Sequence, residues 1–345
     1  MKAAVLEGNE KLVLRNLPVP VCGDEEVVVR LEACGICRTD MKCFFTGQRD
    51  LRFPRILGHE ISGTIFAVGS KVAGLTPGSR VQVSPGLGCG SCYFCRQKLD
   101  NMCDRLEIMG FNYDGGFAQY LRIPFRGVKN GVLHEIPAGL SFAEASMTEP
   151  LACCINMQES LGITGGETVL IVGAGRLGIL NAKLAYLRGA EKVILLEENK
   201  GRRALAAQHG IHYCLDGADP GVLKEILSIT GGRGVDVSIP CCPGPAAVNT
   251  SLRATAKGGR FGFFSGLLHE EGLAVDFNLI HYKEITASGA YGCSLRHNRE
   301  ALSLLVSGHI KVKEMITREI SLEEAEQGIY MVKELAELSV IILFS

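Results

Sequence analysis

The sequence contains no tryptophan, and aromatic residues make up only 6% of the chain. The walls of any ligand pocket are therefore left to Phe, Leu and Met. An excess of charge is missing too: 36 basic side chains face 37 acidic ones, for a formal net charge of −1. Nothing in that balance would draw the chain to nucleic acid or to an anionic membrane surface. No uncharged apolar run is long enough to span a bilayer. The apolar opening of residues 1–6 meets Glu7 and Asn9 too soon to serve as a secretory leader. The expectation is a cytosolic protein that binds neither nucleic acid nor membrane. Internal repeats and low-complexity segments are absent as well.

What the sequence does have is length, glycine and cysteine. Its 345 residues suffice for two packed domains. It carries 42 glycines and 14 cysteines. In a chain of this size without a leader, cysteine points to metal binding before disulfides. Residues 1–150 alternate short apolar runs (26–31, 61–68, 80–83, 117–123) with Gly and Pro, the pattern of an irregular β-rich domain. From about residue 165, strand-like runs at 168–172, 192–196, 235–239, 260–264 and 285–288 alternate with helical periods at 177–187 and 246–255. About six strands joined by helices imply an α/β domain with an open, doubly wound parallel sheet. Two further helices, around 299–307 and 322–333, and a strand at 339–344 close the chain.

Cys89, Cys92, Cys95 and Cys103 fall in a glycine-rich stretch, residues 86–104. Four thiolates can enclose one tetrahedral Zn²⁺ at roughly 2.3 Å and leave no coordination position open, which is the design of a structural site. Unrelated free thiols, or a single CxxC redox pair, would not account for the set. A second group has mixed chemistry. Cys37 precedes Thr39, His59 stands beside Glu60, and Glu149 adds another carboxylate. One thiolate, one imidazole and one carboxylate would leave a fourth position open for reaction. Thiolate plus one carboxylate neutralises Zn²⁺, so Glu60 and Glu149 would exchange, one on the metal at a time. The remaining cysteines are expected to be mostly small buried hydrophobes, with Cys153 or Cys154 a competing ligand.

Residues 169–172 run into Gly173-Ala174-Gly175-Arg176-Leu177-Gly178 and then a helical period. This is GxGxxG in its proper setting, strand before and helix after. Gly173 serves the tight turn, Gly175 the approach of a pyrophosphate, and Gly178 close helix–strand packing, with phosphates at the helix N-terminus. Glu197, at the end of the next strand, suits the hydroxyls of a ribose and repels a 2′-phosphate, favouring NAD over NADP. Arg202 and Arg203 argue the other way.

Taken together, the GxCxTD segment at 35–40, Gly58-His59-Glu60, the four-cysteine lobe, Glu149-Pro150-Leu151-Ala152 and GxGxxG resemble the zinc-containing medium-chain alcohol dehydrogenase superfamily. The similarity is to its sorbitol and threonine dehydrogenase branch and runs along the whole chain. It implies a GroES-like catalytic domain built from residues 1–150 and 291–345, around a Rossmann domain at 151–290. It implies two zinc ions per chain. Cys37, His59 and Glu149 would surround the catalytic one, with Glu60 as alternate or adjacent ligand, and Cys89, Cys92, Cys95 and Cys103 would hold the structural one. Thr39 matches the hydroxyl that relays a proton from substrate. Arg176, Leu177 and Arg202 join the three glycines and Glu197 as cofactor contacts. The expected activity is hydride transfer between a secondary alcohol or polyol and NAD, by a homodimer or homotetramer. The sequence departs from the family pattern at Met41-Lys42-Cys43, where many relatives have a relay His, at residues 237–242, and at Gly292, where sorbitol dehydrogenases carry Arg. The rival readings are a zinc-free NADPH reductase of the same superfamily and a non-enzymatic NAD(H)-binding redox sensor.

Overall fold

Strand Val27–Gly35 is the spine of the first part of the molecule, buried along its length except at Arg30 and Glu32. In the computed structural model, which describes residues 1–266 and 275–344, this strand pairs antiparallel with Glu60–Val68, Tyr120–Ile123 and Val340–Leu343. Arg80–Val83, Leu133–Glu135 and Arg318–Ile320 complete a seven-stranded sheet. A three-stranded sheet (Lys11–Asn16, Lys2–Gly8, Arg55–Ile56) lies with it around one core that includes Leu6, Leu31, Phe44, Ile61 and Phe117. Bulges interrupt the register of Val27–Gly35 on Glu60–Val68, as is usual beside functional sites.

The chain divides into two compact units: Met1–Ala152 with Cys293–Ser345, and Cys153–Gly292. The C-terminal strand enters the first unit because Ile341 and Ile342 supply apolar side chains opposite Gly35 and Cys34.

In the second unit six parallel strands run in the spatial order Tyr213–Asp216, Lys192–Glu197, Thr168–Val172, Val235–Pro240, Thr255–Phe263, Thr286–Gly289. This is the doubly wound order of a dinucleotide fold, with its switch point between Thr168–Val172 and Val235–Pro240. Val169, Leu170 and Ile171 are fully buried, which explains their unbroken apolar run. The edge strand Tyr213–Asp216 escaped the sequence reading. It has four residues, Tyr213-Cys214-Leu215-Asp216, only one of them buried, a run too short to show a period. Helix Leu295–Val306, in the first unit, begins four residues earlier than its periodicity suggests because Ser294 caps it. Of the nine cysteines outside the two candidate metal groups, only Cys34, Cys43 and Cys154 are buried; the others are half-buried, which corrects the expectation that most would be core residues.

Candidate metal centres and nucleotide site

Helix Arg38–Thr46 starts at Cys37, and its first turn contains Asp40. The Asp40 carboxylate is wholly buried and accepts hydrogen bonds from the Cys37 backbone N–H (2.8 Å) and the Gly58 N–H (3.1 Å). His59 Nδ1 lies 3.3 Å from the same carboxylate, within ion-pair range though off the line of a good hydrogen bond. Asp40 therefore ties the Cys37 turn to the Gly58-His59 turn and leaves the other imidazole nitrogen for a ligand. The arrangement of carboxylate behind imidazole is the usual support of a metal-binding histidine.

Cys37, His59 and Glu60 each bring a ligand atom within 4.8 Å of the others. Glu60 begins its strand opposite Gly35, and a Cβ on Gly35 would stand 2.0 Å from Glu60 Oε2, so the carboxylate occupies space that only glycine leaves. Burial pulls the His59 pKa down, yet the Asp40 and Cys37 charges beside it raise it well above the ordinary value. A negative field strong enough to do this to a buried imidazole is equally suited to a dication. Sulfur, nitrogen and oxygen donors in this proportion fit zinc with an open position. Thr39 Oγ1 is 3.7 Å from Cys37 Sγ, at the margin of the same group.

Glu149 is not a member of that group. It sits in the first turn of helix Thr148–Leu161, 8% exposed, with Oε1 3.9 Å from Cys293 Sγ. Asn298 donates to the same sulfur at 3.2 Å. Sequence reasoning had no means of finding Cys293, which lies 144 residues away.

The sulfurs of Cys89, Cys92, Cys95 and Cys103 lie within 4.8 Å of one another. Backbone N–H groups of Ser91 (3.5 Å) and Cys92 (3.3 Å) point at Cys89 Sγ, and those of Cys89 (3.1 Å) and Arg105 (3.3 Å) at Cys103 Sγ. Donation from Ser91 draws the Cys89 thiol down to about 5, while burial and the thiols beside it push Cys95 up to about 12. Four thiols so close cannot all ionise alone, and a tetrahedral dication removes that conflict. Arg126 and Asn130 hold the lobe through the Gly88 carbonyl, at 2.7 and 2.6 Å. Tyr93, Leu99 and Met102 are exposed, so the lobe has little core of its own.

In the second unit, Gly173 takes φ +106°, which closes the turn after strand Thr168–Val172. A Cβ on Gly178 would stand 1.8 Å from the Gly173 carbonyl, so helix Arg176–Leu187 can approach the strand only with glycine there. Glu197 faces this turn: Oε2 accepts from the Ala174 N–H at 2.9 Å and Oε1 from the Asn199 N–H at 3.0 Å. Arg202 reaches the turn as well, with Nη2 3.4 Å from where a Cβ on Gly175 would be. Arg176 and Leu177 form the first turn of the helix. Cys242 packs against Gly173 from the end of strand Val235–Pro240.

Two family models match the chain: the alcohol dehydrogenase GroES-like domain over residues 23–133 and the zinc-binding dehydrogenase over residues 177–307. Sorbitol dehydrogenase of Bacillus subtilis (strain 168) is 30% identical over 332 residues, spanning 95% of this chain and 92% of that one. The chain belongs to the zinc-containing medium-chain alcohol dehydrogenase family. L-threonine 3-dehydrogenase of Pyrococcus furiosus is 34% identical over 313 residues, or 88% of this chain and 86% of its own. Among solved structures, a zinc-binding dehydrogenase from Sinorhizobium meliloti 1021, bound to NADP, superposes with a TM-score of 0.92 at 33% identity and covers 99% of both chains. The resemblance to the sorbitol and threonine dehydrogenase branch and the pairing of a GroES-like with a Rossmann domain are thereby borne out. As a member of this family the chain is an oxidoreductase of CH–OH donors. No helix among the described residues is long and apolar enough to cross a membrane.

Proposed function

We propose that the chain is an NAD-dependent zinc dehydrogenase of secondary alcohols: polyols, cyclitols or amino alcohols. The observation that carries the reading is the convergence of Cys37, His59 and Glu60 with Asp40 buried behind the imidazole. These residues would hold one metal ion, with Glu149 as an alternate ligand, and the four-cysteine lobe would hold a second. Zinc supplies Lewis-acid polarisation of a carbinol or carbonyl oxygen, and the nicotinamide supplies the hydride acceptor. The protein's own groups do the rest. Asp40 backs His59, its carboxylate 3.3 Å from Nδ1. Thr39 offers a hydroxyl that accepts the substrate proton and passes it outward. Glu60 adds the negative charge that, with the Cys37 thiolate, would balance the dication.

NAD rather than NADP is favoured by the Glu197 carboxylate, which repels a 2′-phosphate. The names of the relatives support the substrate class, since sorbitol, L-threonine and xylulose each present a secondary carbinol or its ketone. Homodimers or homotetramers in the cytoplasm belong to the same proposal. Phe277 and Tyr282, 74% and 75% exposed on helix Phe277–Lys283 of the second unit, support self-association. Light scattering on the purified chain reads the state directly.

The test is to measure metal content together with NAD⁺ reduction against a panel of polyols, cyclitols and amino alcohols. The expected result is about two zinc ions per chain and chelator-sensitive NADH formation with at least one class. One zinc, with NADH binding but no turnover on any alcohol, would overturn the reading in favour of a redox sensor.

A further inference from the structure

Glu197 cannot discriminate between dinucleotides unless its carboxylate is held in place, and part of what holds it lies outside the nucleotide site. One of its two backbone donors, the Asn199 N–H, belongs to the turn that follows strand Lys192–Glu197. That turn is gripped by Arg203. Arg203 Nη1 uses both of its protons on it, donating to the Glu197 carbonyl at 2.7 Å and to the Glu198 carbonyl at 2.6 Å. Its Nη2 pairs with Asp216 Oδ2 at 2.9 Å. Asp216 ends the neighbouring strand, in register with Glu197, and the Gly217 N–H returns to the Glu197 carbonyl at 3.3 Å. The Arg203 side chain is only 18% exposed. Asp216, Arg203, two peptide carbonyls, the Asn199 amide and the Glu197 carboxylate thus form one continuous chain of contacts.

We propose that the Arg203–Asp216 pair is a positioning device for Glu197 and sets the preference for NAD over NADP. The inference rests on the NAD reading above and adds residues that do not touch the cofactor. Two physical effects work in the same direction. The planar guanidinium holds two successive carbonyls through Nη1 and Asp216 through Nη2 in one rigid plane, which a flexible ammonium does not impose, so the turn presents Asn199 to Glu197 in one geometry. In addition, Arg203 stands next to Arg202 in the first turn of helix Lys200–Gln208, and Asp216 neutralises it. Without Asp216 the same guanidinium would attract a 2′-phosphate instead of merely bracing the turn.

The experiment is a fluorescence titration of NADH and NADPH into the full-length protein, without alcohol substrate, alongside thermal unfolding. Wild type is expected to bind NADH more tightly. Arg203→Ala is expected to weaken NADH about tenfold, the size of one charge-linked hydrogen bond, and to leave NADPH nearly unchanged. Arg203→Lys should fall between the two. Asp216→Asn should move the ratio by the other route, tightening NADPH several-fold with little change for NADH. If the variants weaken both nucleotides by the same factor, in step with a lower melting temperature, the pair merely joins two strands and the proposal is overturned. Should Arg203→Ala fail to fold, the Asp216→Asn and Arg203→Lys ratios decide the matter. A wild-type preference for NADPH would overturn the NAD reading itself, and that result is visible before any variant is made.

Discussion

Replacing Asp40 by Asn separates the metal group from the fold more sharply than replacing any of its ligands. The buried carboxylate meets three groups: the Cys37 N–H at 2.8 Å, the Gly58 N–H at 3.1 Å and His59 Nδ1 at 3.3 Å. An amide of the same shape keeps one acceptor oxygen. Oδ1 faces two of these groups, so the oxygen belongs on that side and the NH₂ is turned against the Cys37 N–H. Donor then opposes donor in a buried place, at a cost of about 1–3 kcal/mol of stability. Loss of the charge behind the imidazole lowers metal affinity by roughly 10–100-fold, or about 1.4–2.8 kcal/mol. Zinc can be titrated into metal-free protein in competition with a chromogenic chelator. The four-cysteine lobe serves as an internal control, since Asp40 belongs to neither its chain segment nor its sulfur cluster. One site should weaken in Asp40→Asn while the other keeps its affinity. Two sites of unchanged affinity would refute the argument, and so would equal weakening of both.

Three other outcomes are expected. Gly178→Ala should abolish NADH binding or folding of the second unit, because the added methyl meets the Gly173 carbonyl at 1.8 Å; NADH fluorescence and circular dichroism distinguish the two, and normal binding would show that the turn is not tight. Cys92→Ser should release one zinc per chain and lower the melting temperature before it touches NADH affinity, as metal analysis and unfolding curves on one sample would report. His134, buried with Nε2 2.8 Å from Ser84 Oγ, is lowered from 6.5 to about 4 by burial and by Arg299. Its folded-state pKa lies below the unfolded one, so its contribution is complete above pH 6.5 and is lost as pH falls toward 4, amounting to roughly 3 kcal/mol. The loss of melting temperature across that interval should be steeper in wild type than in His134→Gln, and parallel curves would disprove the assignment.

Where function depends on neighbours in sequence, the sequence was enough to reveal the arrangement. Cys89, Cys92 and Cys95 cannot be far apart when two residues separate each from the next, and the glycine turn is local by construction. Cys37, His59 and Glu60 needed the pairing of Val27–Gly35 with Glu60–Val68, which aligns Gly35 with Glu60. Both strands were legible as apolar runs, but each is buried almost throughout, so their register was not. Nor was the proximity of Glu149 to Cys293, since it depends on how two distant segments fold together within the first unit. Arg203 presented the opposite difficulty. Beside Arg202 it read as a competing phosphate ligand, and its partner Asp216 lies on a four-residue strand too short to be seen. Asp40 stood inside a quoted motif, but its role appears only when two turns meet on its carboxylate.

The last strand, Val340–Leu343, lies against Val27–Gly35, more than 300 residues earlier in the chain. During synthesis, the second unit has its whole sequence available while the first still lacks two strands of its principal sheet, Arg318–Ile320 and Val340–Leu343. Residues 33–35 must therefore leave the ribosome and persist with open backbone donors and acceptors until Val340 arrives. An edge of this kind, apolar and unpaired for most of translation, is where nascent chains of neighbouring polysomes would adhere to one another. The yield of folded protein in a cell should accordingly depend on elongation speed and on chaperone supply more than the stability of the finished molecule would suggest.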